Sequence, residues 1–139
     1  MKAKQYLLQI AKIQARIDRL IDIIEQMRAA EQRVTAQISS DGTRGSSAIK
    51  DRIAEMVARR IDRECDLFDK VNELIDAKRK ITEEIEAVDD PREVAILFKR
   101  YVECKSLVVV ACEMNYSYEY TRHLHGFALA HFEERMKCG

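Results

Sequence analysis

The stretch Lys105–Phe132, KSLVVVACEMNYSYEYTRHLHGFALAHF, decides the fold. Ser106 stands where a hydroxyl can cap a helix, and the apolar residues after it carry that helix through Met114. Asn115-Tyr116 then permits a tight turn, because asparagine tolerates the left-handed backbone. Ser117 is another cap and opens a last helix to about Met136. Val110, Ala111 and Met114 on the first helix and Leu124, Ala128, Leu129 and Phe132 on the second are apolar. Two capped helices separated by a few residues predict a helix-turn-helix.

Working back toward the N-terminus, Val88-Asp89-Asp90-Pro91-Arg92-Glu93 is the clearest punctuation in the chain. Asp90 can cap, Pro91 suits the first helical position, and Glu93 can reach back as in a capping box. A helix is expected from 91 to about 103, burying Val94, Leu97, Phe98, Tyr101 and Val102. Residues 89–139 thus read as a three-helix helix-turn-helix domain.

Residues 1–88 read as a long, coiled-coil-like helical hairpin. Ile10, Ile13, Ile17, Leu20, Ile24, Met27, Val34 and Ile38 step by threes and fours, broken only at Glu31. That predicts one helix from about residue 3 to 37, roughly 50 Å long, which must bury its stripe against a partner. A Gly/Ser-rich connection at 39–47 reads as a flexible loop. The second periodic segment, about 48 to 87, runs through Ile53, Val57, Ile61, Phe68, Val71, Ile75, Ile81 and Ile85. Antiparallel pairing of the two is the economical arrangement; dimerisation through the same stripes competes, and spacing alone fits both.

Composition supports an all-α class. Charged residues at 35% beside 47% apolar suit amphipathic helices, while four Gly and one Pro are too few for a sheet rich in turns. Lys+Arg and Asp+Glu balance at 24 each, so no global field advertises nucleic acid. The N-terminus lacks the apolar core of a signal peptide. The longest apolar run, residues 107–112, falls far short of the eighteen or so a membrane helix needs. A cytoplasmic protein is expected, with Cys65, Cys104, Cys112 and Cys138 as reduced thiols. Cys104 and Cys112 are expected to be buried near the helix-turn-helix core.

Lys105–Phe132 resembles region 4 of bacterial sigma factors, in a register without gaps. The chain as a whole is similar to small phage and prophage proteins of Gram-positive bacteria. Arg33-Val34-Thr35, Asp41–Ser47, Arg100-Tyr101-Val102, Asn115–Tyr118 and Leu124–Leu129 carry the likeness. The resemblance implies a late-gene transcriptional regulator, with duplex DNA as partner and RNA polymerase as a possible second one. It places Ser117, Tyr118, Glu119, Tyr120, Arg122 and His123 at the DNA. Where the family pattern has Trp at 107, acids at 108 and 109 and bases near 119 and 127, this chain has Leu107, Val108, Val109, Glu119 and Phe127. From Pro91 to Gly139 seven Lys+Arg face six Asp+Glu, so phosphate attraction is weak. Leu107, Val108 and Val109 therefore also read as a protein-interaction surface, as in an adaptor that has lost DNA affinity. A small DNA-packaging subunit, forming a closed ring, is a further alternative.

No enzyme is expected: no nucleophile–base set or phosphate loop is present, and no cofactor is implied. His123, His125 and His131 with Cys138 lack zinc spacing and read as structural or surface residues, with no metal. Asp62, Glu64, Asp66 and Asp69 read as a solvated helix face. A homo-oligomer is expected, a dimer first.

Overall fold

A computed structural model describes residues 2–40 and 47–138. The chain is all-α, with α1 over Ala3–Ser40, α2 over Ser47–Glu86, α3 over Pro91–Leu97, α4 over Leu107–Met114 and α5 over Tyr118–Cys138. α1 and α2 form the expected helical hairpin. Helix persists through Ser40 and resumes at Ser47; the body of the expected flexible loop, 41–46, lies outside the described residues. No helix is long and apolar enough to cross a membrane among the described residues.

Packing divides the chain into two units, Met1–Ala15 with Ile75–Gly139, and Arg16–Leu74. In the first, Leu7 and Ile10 of α1, Ile81 and Ile85 of α2, and the three C-terminal helices share one core. Ile96, Leu97 and Tyr101 enter it beside Val110, Leu124 and Phe132. Tyr6 stacks on Phe132 with ring centroids 6.1 Å apart, and its phenol donates to Glu84 Oε1 at 2.7 Å. Burial and the adjoining carboxylate push that phenol up to about 12.

The start of α3 is capped as its sequence predicts. Asp90 accepts from the Arg92 amide at 2.9 Å, with Pro91 next in line. Glu93, however, turns inward instead of back to the cap: it is 4% exposed and meets His131 Nδ1 at 2.6 Å. The expected helix to 103 also changes pitch, becoming a π-helix over Phe98–Val102. It closes through Glu103 N–H to Phe98 O and Lys105 N–H to Lys99 O, both 3.1 Å. Cys104 takes the left-handed backbone at φ 58, a stop made without glycine.

In the second unit Ile17 and Ile24 of α1 and Leu67 and Val71 of α2 are the buried apolar residues. Glu64 is only 7% exposed, which corrects the reading of it as part of a solvated face; Asp62, Asp66 and Asp69 do lie in solvent. Arg28 grips Glu64 with two hydrogen bonds, 2.8 and 3.2 Å, and Arg60 adds a third at 2.9 Å. Arg60 also pairs with Glu31. The two acids that interrupt the apolar stripes are thus cross-linked by two arginines, which hold the Glu64 carboxyl below its ordinary range. Phe68 and Ile61, expected in the stripe, are instead 40% and 47% exposed, and Leu67 takes the inner place. One residue is a rotation of about 100°, so here the covered face of α2 runs through Glu64, Leu67 and Val71 and leaves Ile61 and Phe68 to one side.

Candidate nucleic-acid interface

The helix-turn-helix is built by three local devices. Ser106 accepts from the Val109 amide at 3.3 Å and starts α4. Asn115 ends it in the left-handed region, φ 58 and ψ 38, while the Tyr116 amide returns to Ala111 O at 3.0 Å. Ser117 Oγ accepts from the Tyr120 amide at 3.1 Å and starts α5. Thr121, fully buried, donates its hydroxyl to Ser117 O at 2.9 Å and locks that first turn. Val110 and Ala111 then bury against the α5 side that holds Leu124, Ala128 and Phe132.

The six residues expected at DNA sort into two groups. Tyr118, Glu119, Arg122 and His123 are exposed and, by helical spacing, share the outer face at the start of α5. Ser117 spends its hydroxyl on the cap. Tyr120 is turned toward α3: Arg92 donates to its phenol at 2.9 Å, and its ring meets Tyr116 edge-on at 4.9 Å. Arg92, a residue that sequence reading did not single out, therefore sits beside the start of α5. Its partner is 28 residues away, and no spacing rule reports such a contact.

Most cations of this domain already have anionic partners. Lys105 bonds Glu103 at 2.6 Å and Glu113 at 2.7 Å, and Lys99 approaches Glu113 at 3.7 Å. These bonds raise the Lys105 ammonium and hold the Glu113 carboxyl low. Arg92 pairs with Asp90 at 3.2 Å, which depresses that carboxyl, and Arg135 lies 3.8 Å from Asp89. Arg100, Arg122 and Lys137 are left without a carboxylate partner among the described residues; Arg100 instead donates to Lys105 O and lies over the Tyr101 ring.

His125 and His131 serve the fold. His125 stacks on Tyr101, centroids 5.7 Å apart, with 2.8 Å between the phenol and Nε2. Burial first, then the nearby Arg100 and Lys4 cations, lower its pKa from 6.5 to about 4. The ring is therefore neutral near pH 7, and the direction of its hydrogen bond with the phenol follows the tautomer. Among the described residues no three His, Cys, Asp or Glu side chains gather into a metal site.

The cysteines contradict the burial expected of them. All four are exposed, Cys104 and Cys112 included. The inward side of α4 is already filled by Val110, Ala111 and Met114, which turns Cys112 outward; Cys104 sits on the turn that stops the π-helix. Val108 is 59% exposed and Val109 44%, and Leu107 is half-buried. Phe127 on α5 is 62% exposed.

No family model, curated protein or solved structure matches this chain.

Proposed function

We propose that this chain is a DNA-binding transcriptional regulator of phage type that reads duplex DNA with the outer face of α5. In this reading the α1–α2 hairpin supplies self-association or contact with RNA polymerase. The observation that carries it is the capped α4–Asn115–α5 turn, which leaves Tyr118, Glu119, Arg122 and His123 together at an exposed helix start. Arg122, with no internal carboxylate, is the donor for a guanine edge or a phosphate, and Glu119 can accept from a cytosine amino group. Tyr118 offers a phenol to the sugar–phosphate chain. Because Arg92, Lys99, Lys105 and Arg135 are internally paired, affinity rests on few phosphate contacts and its salt slope is shallow.

Fluorescence anisotropy with a random duplex pool, at low and near-physiological salt, tests this reading, followed by selection of the preferred site. Arg122→Ala is expected to weaken binding to that site by about 1–3 kcal/mol. Equal binding by wild type and variant removes the α5 assignment.

A second reading, a protein–protein adaptor, is favoured by the exposure of Val108 and Val109 beside Cys112. Val109→Lys would then abolish capture of RNA polymerase while helicity stays intact, and unchanged capture would dismiss it.

A further inference from the structure

The unit Arg16–Leu74 leaves as many large apolar side chains outside as inside. Ile17, Ile24, Leu67 and Val71 are buried, whereas Ile21, Val34, Ile61 and Phe68 remain about two-fifths exposed. A two-helix hairpin has two flanks, where the edges of α1 and α2 come together, and the two flanks of this one differ in charge.

On one flank Arg16, Arg19 and Lys70 surround Leu20 and Leu74, with Glu73 the one acid among them. The same line of α1 continues at helical spacing to Met27, Ala30 and Val34, which line one groove with Met56 of α2 and the paired Glu31 and Arg60. The Arg28–Glu64 ion pair marks the other flank. Ile21 lies two turns before Arg28 on the same line, and Ile61 and Phe68 bracket Glu64 at three and four residues. Asp62 and Asp69 lie about 100° further round α2 than Ile61 and Phe68, on the solvent side of that flank, are exposed, and have no cationic partner among the described residues. One flank is basic and apolar; the other is acidic and apolar.

We propose that this hairpin assembles head to tail with further copies of the chain, the basic flank of one copy seated on the acidic flank of the next. A second copy is the occupant because each flank supplies the charge the other lacks, with apolar residues at the centre of both. A two-fold dimer would set Asp62 and Asp69 against themselves, or Arg16, Arg19 and Lys70 against themselves, and like charges repel. A heterologous contact leaves each copy with one free flank of each kind, so growth passes two subunits and ends in a ring or continues as a filament. The inference concerns Arg16–Leu74 alone and holds whether or not α5 binds DNA.

The test is analytical ultracentrifugation of the full chain over a concentration series, at low and high salt and without nucleic acid. Wild type is expected to pass beyond a dimer as concentration rises and to dissociate as salt is added. Asp62→Lys with Asp69→Lys, and separately Arg16→Glu with Lys70→Glu, should each weaken assembly by more than about 100-fold. An equimolar mixture of the two variants should assemble again, since one now carries two basic flanks and the other two acidic ones. A wild-type chain that stays monomeric, or stops at a dimer, overturns the proposal. So does failure of the mixture when both variants keep their helical circular dichroism. If a variant loses helicity, the wild-type concentration and salt series decides alone.

Discussion

Acidification should loosen the core through His125. Its ring lies against Tyr101, which is 2% exposed, and its Nε2 shares a hydrogen bond with the phenol at 2.8 Å. Protonation would place a cation in this half-buried site, near Arg100 and Lys4. The folded pKa of about 4 lies below the unfolded 6.5, so between these values the unfolded chain binds a proton that the folded chain refuses. Stability is therefore whole above pH 6.5 and is lost as pH falls toward 4. A shift of that size has a ceiling of about 3.4 kcal/mol. The ring is only half-buried and water screens it, so about 1.5 kcal/mol is expected. Urea denaturation of wild type and His125→Gln at a series of pH values between these limits measures it. Carboxylates titrate over the same range, and the variant curve subtracts them. The wild type should lose about 1.5 kcal/mol more than the variant. Parallel curves would refute the account of His125 as a half-buried neutral imidazole.

Other perturbations follow from single contacts. A Cβ on Gly126 would meet nothing within 4 Å, so Gly126→Ala should stabilise α5 by about 0.5–1 kcal/mol, read as a raised urea midpoint. Ser117→Ala removes the α5 cap and should cost about 1 kcal/mol in the same assay, with a corresponding loss of DNA affinity if α5 is the reading helix. Glu64→Gln strips the charge that Arg28 and Arg60 share, and thermal melting should fall well below that of Asp69→Asn, which removes an exposed charge. Because the Glu64 carboxyl is held low, its contribution is present above the ordinary glutamate range and fades as pH drops through the depressed value.

What the sequence made legible follows from how far each determinant acts. Ser106, Asn115 and Ser117 work on amides and carbonyls within three or four residues, so their spacing alone described α4, the turn and α5. The stripe of α1 was equally plain, because Ile10, Ile17 and Ile24 recur at the helical period. Residues whose state depends on a distant partner were misjudged. Glu64 looks solvated until Arg28, 36 positions away, is brought beside it. Phe68 looks buried until the register sets Leu67 inward. Cys112 looked like core because thiols usually are, but neighbouring apolar residues had already filled that side. Within the candidate interface, the outward group of Tyr118, Glu119, Arg122 and His123 was legible from the α5 register, whereas the diversion of Tyr120 by Arg92 was not.

The stacking of Tyr6 on Phe132 has a bearing on how the protein is made and how it can be dissected. These rings meet across 126 positions of chain, and Leu7 and Ile10 fill the same core as Leu124. Closing so long a loop has to precede the reward of that contact, which slows folding relative to a bundle of purely local pairs. On the ribosome the first turns of α1 must wait, with their apolar side uncovered, until α5 emerges. A fragment beginning at Asp89 would correspondingly lack one wall of its core, so excising the helix-turn-helix for binding studies should yield a loosened, protease-sensitive peptide.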